Sequence, residues 1–117
     1  MIVHVILFNP AEHLDADTKR EILAGLASVA KEIPSVIRCR VGRRTRHGLP
    51  GYEQMMREDY AYAVIVEFAD MAGLKAYLAH PSHARIGAHF AASASRSLAC
   101  DYEMVEAADL EALVDAI

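Results

Sequence analysis

The chain has 117 residues, 54% of them hydrophobic, and its 16 acidic and 12 basic side chains give a net charge of −4. That is the size of one domain with a proper core and little room for a second, and the acidic balance gives no electrostatic reason to expect a nucleic-acid partner. No apolar run approaches the ~20 residues that cross a bilayer, and Met1-Ile2-Val3-His4 lacks the basic start of a signal peptide. The expectation is a cytoplasmic protein with no membrane contact.

Two further composition features are read as structural. Cys39 and Cys100 stand alone, outside any CxxC pair, which suits reduced, buried thiols better than a disulfide scaffold or a zinc site. The one basic cluster, Arg38, Arg40, Arg43, Arg44 and Arg46, reads as a solvated strand rim or an interface.

In chain order, Ile2 to Phe8 is β-branched and aromatic and ends at Asn9-Pro10, the pattern of a first strand. At a period of two, His4, Ile6 and Phe8 share one face and Val3, Val5 and Leu7 the other. Both faces must be covered, and a His4 buried there needs a hydrogen-bond partner. Asp15 or Asp17 can cap a helix whose stripe is Ile22, Leu26, Val29, Ala30 and Ile33, and Pro34 ends it. A second strand is expected over 35–42, with Ile37, Cys39 and Val41 inward, followed by a long loop over 45–59 of the kind that often lines a site or an interface.

Tyr60 to Phe68 is the strongest strand, apolar on both faces, with Tyr62, Val64, Val66 and Phe68 together. Asp70 can cap a short helix over 71–79 whose core stripe reads Met71, Leu74 and Leu78, with Tyr77 beside it. Pro81 then stops that helix near His80 and opens the next, because proline lacks the N–H of a helix interior but suits the first helical position. His83 falls in that new first turn, near the positive end of the helix dipole, where a cation is disfavoured. If it is also partly buried, it becomes a neutral imidazole at pH 7, the form a general base requires. A fourth strand is expected over 97–106, with Leu98, Cys100, Tyr102 and Met104 on one face, and Asp109 as the cap of a closing helical tail over 107–117.

The order β-α-β-β-α-β predicts an α+β, ferredoxin-like domain over 1–117, with its core in 1–106 and four antiparallel strands carrying helices on one face. A single helical layer leaves the other sheet face bare. Since three of the strands are apolar on both sides, a homodimer that packs two such faces into a barrel-like core is expected.

These residues resemble a known family, the stress-responsive A/B barrel proteins of the dimeric α+β barrel group. The features that carry the resemblance are His4 ahead of Phe8 in the first strand, one residue closer than the family's spacing, and a first helix ended by proline. With them go a third strand that starts on tyrosine and closes on Glu67-Phe68, the stretch Tyr77-x-x-His80-Pro81-x-His83, and a last strand with Asp101-Tyr102. The resemblance covers about 1–106 and implies a homodimer but no single activity. In its cyclase-like members the tyrosine and the last histidine of that stretch serve as oxyanion donor and general base. Carried over, these are Tyr77 and His83, with His4 facing the same pocket. Where the cyclase has another histidine in the third strand, this chain has Tyr62.

The expected catalytic set is therefore His83, Tyr77 and His4, in a pocket between sheet and helices also lined by Tyr62, Val64, Phe90 and His80. His80 also fits a plain structural role at a helix end before proline. Abstraction of a carbon-bound proton with stabilisation of the enolate needs neither metal nor organic cofactor, and the proline between His80 and His83 breaks the helix that would align them on a metal. No cofactor and no metal are expected. Three functions remain open on the sequence: a cofactor-independent cyclase- or lyase-like enzyme acting on a small, fairly apolar carbonyl compound; a non-catalytic dimeric protein that binds a small ligand or serves in stress response; and a cofactor-free monooxygenase acting on a quinol-like substrate.

Overall fold

A computed structural model describes residues 1–116 and contains a four-stranded antiparallel sheet of order β2-β3-β1-β4, with three helices on one face. In chain order the elements are β1 (Ile2–Pro10), α1 (Ala16–Glu32), β2 (Arg38–Arg43), β3 (Tyr62–Phe68), α2 (Met71–Ala79), α3 (Pro81–Ser93) and β4 (Ala94–Glu103). Short 3-10 turns cover Glu53–Met55 and Ala107–Ala116. This is the ferredoxin-like arrangement, and among the described residues no helix is long and apolar enough to cross a membrane.

The two central strands set the site. β1 pairs with β3 so that His4 lies opposite Val66, and with β4 so that His4 lies opposite Asp101. Residues directly opposite share a face, so the helix side of the sheet carries His4, Ile6, Phe8, Val64, Val66, Phe68 and Asp101. Phe8, Val64, Val66 and Phe68 are all within 2% of full burial, and each contributes on the order of 1.5–3 kcal/mol of transfer free energy. α1 closes this core with Ile22, Leu26, Val29 and Ala30. The Asp15 carboxylate caps it by accepting from the Thr18 N–H at 2.7 Å, and Asp70 caps α2 in the same way by accepting from Gly73 N–H at 2.9 Å.

Several sequence expectations need correction. β2 begins at Arg38, three residues later than expected, because the chain leaves α1 through a turn over Ile33 to Val36, closed by the Val36 N–H on the Ile33 carbonyl at 3.1 Å. Ile37 and Val41 are exposed, and β2 is an outer strand of the sheet. In α2 the buried pair is Leu74 and Tyr77; Met71 and Leu78 are exposed. β4 runs from Ala94 to Glu103, three residues earlier at each end than expected. Asp109 sits inside the final 3-10 segment and not before it.

α3 and β4 follow one another with no intervening loop. The Ser93 carbonyl accepts from Ala11 N–H at 2.9 Å, and the Ser95 hydroxyl donates to the carbonyls of Asn9 and Pro10, both at 3.2 Å, so the junction is pinned to the end of β1. The opposite sheet face carries Val5, Leu7, Ala63, Ile65, Leu98, Cys100 and Tyr102, and among the described residues no element lies across it. Leu98 and Tyr102 are about half exposed there, at 47% and 52%.

A two-histidine cavity between sheet and helices

The break at Pro81 does what the sequence predicts. α2 stops at Ala79, His80 takes an extended backbone, and Pro81 opens α3. The His80 imidazole accepts from Ser82 N–H at 3.1 Å and so caps α3. It is not among the residues that line the cavity between sheet and helices. Beyond it, Ser82 donates to Glu32 at 3.0 Å and Arg85 reaches the same carboxylate at 3.4 Å, which ties the start of α3 to the end of α1.

That start places His83 under the helical layer. A cavity of about 320 Å³ lies between sheet and helices, lined by His4 and Ile6 from β1, Leu26 from α1, Leu78 from α2, His83, Gly87 and Phe90 from α3, and Ser97 and Ala99 from β4. Ser97 and Ala99 lie on the outer strand and are exposed, so the cavity opens past that edge. Of the residues expected there, His4, His83 and Phe90 meet in this wall. Val64 is buried in the core at 1% exposure. Tyr62 stacks on Phe8, with ring centroids 5.4 Å apart, and lines a separate cleft of about 410 Å³ with Arg43, Arg44 and Tyr60. Phe8 is the barrier between the two: its other side meets Phe90 edge-on at 4.8 Å, so Tyr62 is held off from the histidines.

Tyr77 is buried behind the two imidazoles. Its ring centroid lies 4.8 Å from that of His83 and 5.7 Å from that of His4, and Phe68 packs on it at 5.2 Å. Burial pushes the Tyr77 phenol up to about 12, with a smaller contribution from the Cys39 thiol, so it stays protonated. It is absent from the cavity wall proper and fixes the two imidazoles from behind.

The electrostatics of the two histidines differ. Burial holds the His83 imidazole below its ordinary value, the charge of His4 adds to that, and a hydrogen bond with the Leu78 backbone works the other way. His83 is therefore neutral at pH 7. His4 is 6% exposed, and its Nδ1 lies 2.6 Å from Asp101 Oδ1. A carboxylate at that distance balances a positive charge on the ring whenever His4 carries two protons, and fixes the ring orientation when it carries one. Asp101 is the site residue that sequence reasoning missed in this role. The signal available was its place in the last strand, on the face opposite Leu98, Cys100 and Tyr102 and thus on the face of His4. Among the described residues no group of three His, Cys, Asp or Glu side chains converges as a metal site.

Comparison with known proteins agrees with this architecture. A dimeric ferredoxin-like protein of unknown function from Jannaschia sp. CCS1 is 30% identical, with 88% of this chain and 98% of that one covered at a TM-score of 0.69. The hydroxynitrile lyase of Passiflora edulis is 15% identical over 90% of this chain and 94% of its own, with a TM-score of 0.76. SnoaB, a cofactor-independent oxygenase from Streptomyces nogalater (N63A mutant), is 16% identical over 92% and 96%, with a TM-score of 0.68. No curated protein matches the sequence. Residues 2–104 match the family described as the Stress responsive A/B Barrel Domain, and with nearly the whole chain inside that match the protein belongs to this family.

Proposed function

We propose that the protein is a cofactor-independent enzyme that moves a proton on a small, fairly apolar carbonyl compound, with His83 as general base and the His4–Asp101 pair as its electrostatic counterpart. One observation carries the reading: two imidazoles line one apolar cavity, and only one of them has a carboxylate behind it. Environments that separate two titratable groups in this way define an acid and a base. The neutral His83 takes the proton from the carbon beside the carbonyl. The C–H electron pair moves into the carbonyl unit as an enolate, and His4, oriented by Asp101, donates a hydrogen bond to the developing oxygen. The proton returns from His83 to carbon or passes to solvent. Tyr77 is a positioning residue that sets the spacing of the two rings.

The protein acts as a homodimer in this reading. Support comes from the uncovered apolar sheet face and from the Jannaschia relative, which is described as dimeric. The test of the chemistry is deuterium wash-in at the α-carbon of acetophenone in D2O, followed by proton NMR. Catalysed exchange should fall on the order of 10²–10⁴-fold in His83→Ala. The wild-type rate should be lost as pH drops below 6.5, because the depressed His83 must be neutral to act. No exchange above buffer with acetophenone bound would sink the proton-transfer reading and leave a non-catalytic ligand-binding protein.

A further inference from the structure

The inward stripe of α3 is His83, Ile86, Gly87 and Phe90, the i, i+3, i+4, i+7 positions that a helix turns to a core, and all four are half-buried. Three of them carry large side chains. Gly87 carries none, and a Cβ built there meets no heavy atom within 4 Å. Neither of the usual reasons for a helical glycine applies. Its backbone is not in the left-handed region, which among the described residues only Gly48 and Gly51 enter. Nor does a neighbouring element press against it, in contrast to Gly25 of α1, where a Cβ would come 2.9 Å from Ile86 Cδ1. A glycine inside a helix is destabilising relative to alanine, and at position 87 no packing gain offsets that cost. What its missing side chain does is leave open the cavity next to His83, since a side chain at 87 leans back along the helix toward position 83.

The rest of the wall defines what can enter. Ile6, Leu26, Leu78, Phe90 and Ala99 are apolar, the polar groups are His4, His83 and Ser97, and no lysine or arginine contributes. An anionic ligand would lose its hydration and find no lysine or arginine to receive it, and the His4 ring already faces the Asp101 carboxylate. With about 320 Å³ the space is at the lower end of ligand cavities, which run from roughly 300 to 1,000 Å³.

We propose that Gly87 is the specificity-determining residue of this cavity, and that the ligand is an uncharged molecule with a single polar head at the histidines and an apolar body that occupies the space a side chain at 87 would fill. This rests on the cavity being the ligand site, as above, but not on turnover there. Each carbon added at 87 takes up about what a water molecule does, roughly 30 Å³, so Gly87→Leu removes on the order of 100 Å³.

The experiment is calorimetric titration of the wild type, Gly87→Ala and Gly87→Leu with acetophenone and 4-butylacetophenone, with 4-butylbenzoate as the anionic analogue and thermal melts as the folding control. Gly87→Ala should melt a few degrees above wild type. Affinity for 4-butylacetophenone should fall in the order Gly, Ala, Leu, by about tenfold or more at Leu, and acetophenone should lose less. The benzoate should bind wild type at least about tenfold more weakly than the ketone of the same length. Equal losses for both ketones, no loss for either, a benzoate that binds as tightly as the ketone, or wild type binding neither ketone at millimolar concentration would each overturn the proposal. The two readings separate cleanly. Size-graded binding without deuterium exchange ends the catalytic reading and keeps this one, whereas exchange that ignores residue 87 ends this one and keeps the other.

Discussion

Gly25 of α1 faces Ile86 of α3, and its replacement tests how α3 is held over the sheet. In Gly25→Ala the new methyl would lie 2.9 Å from Ile86 Cδ1, too near for either to stay in place. Two effects compete. Helix propensity favours alanine by ~1 kcal/mol, while overpacking costs ~1–3 kcal/mol; because the atom struck is a terminal methyl that can swing aside, the cost falls in the lower part of that range. The single variant should thus be neutral to destabilised by ~1 kcal/mol. Ile86→Val removes the methyl that is struck and alone costs ~0.5–1.5 kcal/mol. In the double variant the clash is gone, the propensity gain remains and the new methyl fills the vacated space, so it should be at least as stable as Ile86→Val. The coupling between the two sites should then exceed ~1 kcal/mol in the favourable direction. Urea unfolding at one fixed protein concentration, followed by far-UV circular dichroism, measures all four species. Additivity within ~0.5 kcal/mol would refute the close approach as the reason for glycine.

Asp101→Asn keeps the shape beside His4 but removes the charge, and should lower catalysed exchange by about 10–100-fold with the fold intact by circular dichroism; an unchanged rate would remove the carboxylate from the mechanism. His83 is held below its ordinary value of 6.5 in the folded chain, so as pH falls through 6.5 the unfolded chain takes up the proton first and stability declines, levelling off below the folded value. Urea midpoints across that range should fall less steeply in His83→Gln than in wild type, and parallel profiles would contradict the assignment. Leu98→Glu puts a charge on the uncovered sheet face opposite Leu7, and sedimentation at micromolar concentration should find the wild type dimeric and this variant monomeric; a monomeric wild type, or a variant that stays dimeric, would refute an interface on this face.

The apolar period of β1 and β3 makes the sheet legible in the sequence, because strands apolar on both faces leave few architectures. The break at Pro81 is equally legible, since it depends on proline's own geometry. Asp101 as the partner of His4 is not: 97 residues separate them, and their meeting depends on the register of β1 against β4, which no local pattern encodes. The exchange of Leu78 for Tyr77 as the buried residue of α2 has a similar origin. The two are neighbours on the helix, and the choice is made by the room that Phe68, His4 and His83 leave for a ring. Tyr62 shares a sheet face with His4, as expected, but Phe8 and Phe90 stand between them. His80 caps α3 through its imidazole, a use that its place just before Pro81 makes legible.

Because α3 runs straight into β4, the helix that carries His83 and the strand that carries Asp101 are two arms of one V, and the pinned Ser93–Ala94 junction is its fulcrum. A guest that wedges these arms apart must turn them about that point. β4 is paired to β1 along its whole length, so the arm that can turn is α3, and displacement along it grows with distance from the junction and is large at His83, ten residues before Ser93. Swelling of the cavity would thereby stretch the chemical end most and the Phe90 end least. A ligand too thick for the space would carry His83 away from the His4–Asp101 pair before it disturbed the aromatic seat near the hinge.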